Sequence, residues 1–255
     1  MEKILEVSNL KKIYGSKGTT FTALNEIDLN IYKGEFVGVM GPSGSGKSTL
    51  LNILATIDSL TSGEIVIDGV NLRNMNEEKL STFRLNKLGF IFQDYNLLDT
   101  LTVKENIILP LALAKTNVKE IESRVEKVSK RFGIESILDK YPYQISGGQK
   151  QRTAASRAII TQPSIVLADE PTGALDSKSA ANLLESLAQL SEIEKSTILM
   201  VTHDALAASY CDRITFIKDG QIFTELVKGN LSRKDFFNKI LEVLSAIGGG
   251  TDDII

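Results

Sequence analysis

Gly41-Pro42-Ser43-Gly44-Ser45-Gly46-Lys47-Ser48-Thr49 decides how this chain is read. It fits G-x-x-x-x-G-K-[ST], a phosphate-binding loop, and its flanks supply the context that the pattern needs. Glu35–Met40 before it reads as a short buried strand, and Leu50–Ala55 after it as the start of a helix. Gly41, Gly44 and Gly46 let successive N–H groups turn inward on one anion, and the helix N-terminus adds its partial positive charge. Lys47 brings a full charge to the outer phosphates, and the Ser48 hydroxyl can ligate Mg²⁺. Pro42, Ser43, Ser45 and Thr49 belong to the same nucleotide-contacting loop.

Further acids and polar groups fall at the ends of predicted strands. Ile165-Val166-Leu167-Ala168-Asp169-Glu170 is an apolar run closing on two carboxylates. Asp169 is expected in the Mg²⁺ shell and Glu170 beside the water that attacks the outer phosphate. A surface acid pair capping a strand is the plainer reading. It leaves unexplained why two carboxylates tip a strand that the four apolar residues bury. Ser196–Thr202 is a second apolar strand, ending before His203, the single histidine. A lone histidine is commonly structural. At the carboxyl end of a strand it can instead bond a γ-phosphate or the attacking water. Tyr14, read in a Gly-containing loop, offers a flat face for a purine or serves as a surface anchor. Ile145-Ser146-Gly147-Gly148-Gln149 precedes a helical stretch, Gln151 to Ile160, and forms either a second anion-binding N-terminus or an ordinary cap with a glycine turn.

Moving outward, Ile4–Leu10 and Thr22–Ile31 alternate as strands. Gly63–Gly69 is a strand closing on an Asp-Gly turn, and Leu88–Gln93 is another strand. Val118, Ile121, Val125, Val128 and Phe132 are spaced by three and four, as on an amphipathic helix. Residues 98–161 are thus expected to form a mostly helical lobe inserted between strands. Asp212–Leu226 reads as a hairpin turning at Asp219-Gly220. A last helix is expected with Ser232 as N-cap and Gly248-Gly249-Gly250 as its stop, followed by a frayed tail at 251–255.

The 255 residues suit one domain, with 42% hydrophobic and 24% charged residues, as in a soluble globular protein. A net charge of −3 gives no argument for nucleic acid. The single Cys211 excludes an internal disulfide and reads as a small buried side chain. No apolar run nears the roughly 20 residues of a membrane span, and Glu2-Lys3 opening straight into a strand predicts no signal peptide. A membrane role would therefore come through a partner.

Gly41–Thr49, Gln93, Ser146–Gln149, Ile165–Glu170, Ala174-Leu175-Asp176 and His203 occur in the order seen in ABC transporter nucleotide-binding subunits, and the likeness covers nearly the whole chain. The family more often has Leu where Ile145 stands. The resemblance implies an α/β fold: a P-loop ATPase core, an antiparallel β subdomain and the inserted helical subdomain, with residues 1–230 as the cassette and 231–255 as a C-terminal helix and tail. It implies ATP and Mg²⁺ as cofactors, with Ser48, Gln93 and Asp169 at the metal. It implies a head-to-tail homodimer in which Ser146, Gly147, Gly148 and Gln149 touch the γ-phosphate held by the other chain's P-loop. Asp176 would communicate across that dimer. It also implies an integral membrane permease, to which Gln93 relays the nucleotide state and which holds this chain, as a peripheral subunit, at the cytoplasmic face of the cell membrane.

The stretches Asn96–Asn106 and Ala168–Ser177 are similar to the macrolide-export and lipoprotein-release group. The tail from Ser232 to Gly250 is similar to the bacitracin-type (Bce) antimicrobial-peptide cassettes, for which a membrane sensor kinase is a further partner by analogy. The rival reading is a non-transporting ABC ATPase that signals through a membrane partner, of cell-division or lipoprotein-release type. A GTPase switch lacks an N-K-x-D motif here, and a translation-type protein would carry two P-loops.

Overall fold

The computed structural model describes residues 2–16, 18–73 and 75–248. The chain runs β1 (Lys3–Ser16), β2 (Thr19–Tyr32), β3 (Phe36–Met40), α1 (Lys47–Leu54), β4 (Ser62–Ile67), β5 (Val70–Asn71), α2 (Glu77–Lys87) and β6 (Leu88–Ile91). It continues through α3 (Val103–Leu113), α4 (Val118–Phe132), α5 (Gly147–Ile159), β7 (Ile165–Asp169), α6 (Ser177–Glu194) and β8 (Ile198–Val201). It closes with α7 (Ala205–Ala208), β9 (Arg213–Lys218), β10 (Gln221–Val227) and α8 (Arg233–Gly248).

Two sheets result. Strands β2-β1-β4-β5 form an antiparallel sheet, and β10-β9-β3-β8-β7-β6 form a sheet that is parallel except at β10. The parallel strands are apolar on both faces because both faces are covered. Val37, Val39, Ile165, Leu167, Leu199 and Val201 pack against α1 and the antiparallel sheet. Their alternates, Phe36, Met40, Val166, Ala168, Ile198 and Met200, pack under the helices. The period of two along each strand thus divides one sheet between two cores. Helix α8 buries Phe236, Ile240 and Ile247 in the helical core, so it packs as part of the same body.

The partly buried Arg213 on β9 bonds Glu35, Glu225 and the Asn30 carbonyl, tying the P-loop sheet to the end of β2. Asp68 and Gly69, both at positive φ, make the tight turn between β4 and β5.

Two expectations need correction. Tyr14 lies in β1, paired with Phe21 of β2, and not in a loop, because a bulged strand carries Gly15 and Ser16 on to the turn. Strand β6 ends at Ile91, so Gln93 stands two residues beyond it. Ser232 does accept a bond from the Asp235 N–H at the start of α8. The expected stop at Gly249-Gly250 and the frayed tail at 251–255 lie outside the described residues. Cys211 is fully buried, and burial pushes its thiol well above the ordinary value. Among the described residues, no helix is long and apolar enough to cross a membrane.

Candidate functional site

The site is built at the carboxyl ends of β3, β7 and β8. Gly41 has φ 155° and a Cβ there would fall 2.0 Å from the Ile217 carbonyl oxygen, so the turn out of β3 tolerates no side chain. Gly46 is left-handed at φ 104°, and its Cβ would meet the Ala23 carbonyl oxygen at 2.6 Å. These approaches fold the loop back over the start of α1. No side chain caps that helix, which leaves its first N–H groups for an anion.

The buried Lys47 Nζ donates to the carbonyls of Gly41 (2.9 Å) and Pro42 (2.8 Å), so the ammonium spans the loop. Burial lowers its pKa, while Glu170 and Asp169 pull the other way. Ser45 Oγ is buried and finds no partner among the described residues, an unusual state for a hydroxyl and one that phosphate oxygens would relieve.

Strand β7 delivers the acids. Burial and then Glu170 raise the Asp169 pKa, with Lys47 opposing. Glu170 adopts φ 43°, a strained conformation for a non-glycine residue. Backbone bonds on both sides hold it there, from the Glu170 N–H to the Val201 carbonyl (2.9 Å) and from the Gly173 N–H to the Glu170 carbonyl (3.0 Å). Its carboxylate lies 2.8 Å from His203 Nδ1 and accepts from Thr202 Oγ1 at 3.2 Å. Glu170 and His203, named from separate strands, therefore meet. Gln93 closes on the same loop, since a Cβ on Gly173 would lie 3.1 Å from its Nε2.

The other predicted residues sit elsewhere. Tyr14 is 40% exposed, donates to Asp58 at 2.6 Å, and has Lys12 Nζ 4.7 Å from its ring centroid. Ser146 caps α5: it accepts from the Gln149 N–H at 3.3 Å, while Gln149 Oε1 accepts from the Ser146 N–H at 2.9 Å. Accepting that bond leaves the hydroxyl proton free to donate. Gly147 packs under the Tyr95 hydroxyl, and Gly148 under Ser179. Among the described residues no hydrogen bond links Ser146–Gln149 to the P-loop of its own chain. Asp176 caps α6, accepting from the Lys178 and Ser179 N–H groups, and the Ser179 bonds hold its carboxyl below the usual range.

Three residues of the site carried no usable sequence signal. Gln151 is buried in α5 and donates to the carbonyls of Phe92 and Pro171, joining the two loops around Gln93 and Glu170. Arg157 donates to the carbonyls of Asn96 (2.6 Å) and Tyr95 (2.9 Å), both left-handed residues, and burial lowers its pKa. Thr202 supports Glu170. Only the tertiary contacts of these three residues reveal their use.

The ABC transporter family profile matches residues 24–173, more than half of the chain. This chain belongs to the ABC transporter ATPases. It is 55% identical to the bacitracin export ATP-binding protein BceA of Halalkalibacterium halodurans, over 98% of this chain and 99% of that one. It is 45% identical to the macrolide export ATP-binding/permease protein MacB of Mannheimia succiniciproducens, over 88% of this chain and 35% of the larger protein. The dimeric post-hydrolysis structure of the ATP-binding cassette MJ0796 bound to ADP and Pi superposes with a TM-score of 0.80 at 39% identity, over 88% of this chain and 98% of that chain. The α/β architecture is thus that of an ABC cassette. The chain is an ATP-hydrolysing subunit of an ABC transporter.

Proposed function

We propose that this ABC ATPase powers the export or detoxification of antimicrobial peptides such as bacitracin, as a homodimer on the cytoplasmic face of the membrane. The 55% identity over 98% of the chain to a relative named for bacitracin export carries this reading, because it runs through nearly the whole length of both proteins. A membrane sensor kinase as a further partner follows by the same analogy.

Lys47, the open N-terminus of α1 and the Ser45 hydroxyl would seat the outer phosphates, and Tyr14 would stack on the adenine. Ser48, Gln93 and Asp169 fit Mg²⁺: they are oxygen donors, and the half-buried carboxylate of Asp169 gains from a cation beside it. Held by these residues, Mg²⁺ would supply positive charge to offset the negative charge that develops on the outer phosphates. Glu170, with one oxygen on His203, would take a proton from the attacking water while His203 would orient it, a reading that their 2.8 Å contact supports. Ser146 to Gln149 would complete the site of the partner chain, since they engage no phosphate loop of their own, and Asp176 would lie across that interface.

The test is bacitracin sensitivity in a strain whose only copy carries Glu170→Gln. Sensitivity should rise to that of the deletion strain. Unchanged resistance in both strains would overturn peptide export and favour the signalling reading.

A further inference from the structure

Far from the nucleotide, a cavity of about 580 Å³ opens at the amino ends of β7 and β8, bounded by Ser164, Ser196 and Thr197. That size falls within the usual range for a ligand pocket. Its floor is apolar, formed by Val128, Ile159, Val166 and Leu190. Its wall is basic: Lys33, Arg124, Lys127, Arg131 and Lys195 line it, against only Asp68 and Glu194. Five cations against two acids leave an excess of three positive charges, in a chain whose net charge is −3.

Local pairing lowers this excess but does not remove it: with Glu2, Glu120 and Lys87 counted, six cations face four acids and two positive charges remain. Glu194 is shared by Arg131 and Lys127, and Asp68 is already bonded by Lys87 and Ser164. Lys33 pairs with Glu2 and Arg124 with Glu120. Lys195 forms no ion pair among the described residues.

The spacing of the charges says what fits. Arg124, Lys127 and Arg131 stand at i, i+3 and i+7 on one face of α4, a row of about 10 Å. An extended peptide rises about 3.3 Å per residue, so three or four residues match that row. A small anion would engage one or two of these cations at most. We propose that this cavity binds a short, extended acidic segment of a partner protein, with carboxylates along the α4 row and an apolar side chain on the floor. Because the cavity and the nucleotide lie at opposite ends of the same strands, such docking leaves the catalytic groups free.

The test is fluorescence anisotropy of a fluorescein-labelled peptide, acetyl-Asp-Glu-Leu-Glu-Asp-amide, with the full-length protein. Saturable binding is expected, weakened by salt as for exposed charges. Replacing the carboxylates by amides should abolish binding, and replacing the peptide's leucine by glutamine should weaken it. Lys127→Glu with Lys195→Glu should weaken binding about tenfold, both side chains being at the surface, with ATP hydrolysis unchanged. Should that double variant lose ATPase activity or melt early, Lys127→Gln is the variant to read, with a smaller loss expected. Equal binding of the amide peptide, or undiminished binding by the readable variant, overturns the proposal. So does absence of binding at millimolar peptide.

Discussion

Glu170 combines an uncommon backbone conformation with a histidine partner, and neither would be needed for a carboxylate that only capped a strand. Glu170→Gln keeps the shape and removes the proposed base. ATP hydrolysis should fall on the order of a hundred- to ten-thousand-fold while nucleotide still binds. Wild-type turnover in a steady-state assay would remove Glu170 from the role. Its neighbour allows a test of opposite sign on stability. Burial, then Glu170, raises the Asp169 pKa. An acid raised in the folded state contributes stability below its unfolded pKa and loses it as pH rises through the folded one. At neutral pH the ionised Asp169 therefore weakens the nucleotide-free protein. Asp169→Asn should melt higher than wild type without nucleotide, with the gap closing as the pH is lowered through the carboxylate range, and should lose Mg²⁺-dependent hydrolysis. Calorimetry at several pH values reads the first effect. A lower Tm at neutral pH would contradict it.

At the scale of elements, what was legible in the sequence followed from local necessity. The P-loop glycines are dictated by carbonyls 2.0 and 2.6 Å from where a Cβ would stand, and apolar runs such as Val166–Ala168 follow from burial on two faces. Helix α2 showed no pattern because it buries a single residue, Phe83, and leaves no stripe to read. Helix α6 did carry a signal, Asp176 as cap with Leu183, Leu187 and Leu190 one turn apart, which the adjoining motif obscured. The loop from Tyr95 to Leu98 was legible only in part. Its two left-handed residues are clamped by Arg157 from α5, and Asn106 of α3 accepts from the Leu98 N–H at 2.8 Å and donates to its carbonyl at 3.0 Å. The backbone is thus fixed while the Leu98 side chain stays 47% exposed and Leu97 is half-buried. An apolar side chain held outward on a fixed loop, five residues past Gln93, suits a grip on the permease. Leu98→Glu should weaken pull-down of the detergent-solubilised permease with little change in a nucleotide titration, because docking would desolvate the carboxylate. Normal pull-down would discard this surface.

At the scale of the whole molecule, each chain carries a nucleotide cradle and a stretch that does not serve it. The P-loop end of α1 is uncapped, whereas α5 is capped by its own Ser146 and Gln149 and keeps one hydroxyl proton to donate. Two chains placed head to tail would satisfy both surfaces, with each nucleotide bridging them. A ligand that binds only the assembled form stabilises it by mass action, so dimerisation should depend on ATP and fade as hydrolysis proceeds. Glu170→Gln should therefore elute as a dimer with ATP and Mg²⁺, and as a monomer without them. Adding Ser146→Arg places a bulky side chain where the partner's γ-phosphate would sit, and should return the protein to a monomer that still binds ATP at its own P-loop. Light scattering coupled to size exclusion separates these outcomes, and a fluorescent ATP analogue confirms that the double variant still binds. An ATP-bound Glu170→Gln protein that stays monomeric, both alone and with its permease present, would sink the shared site and with it the role of Ser146 in trans.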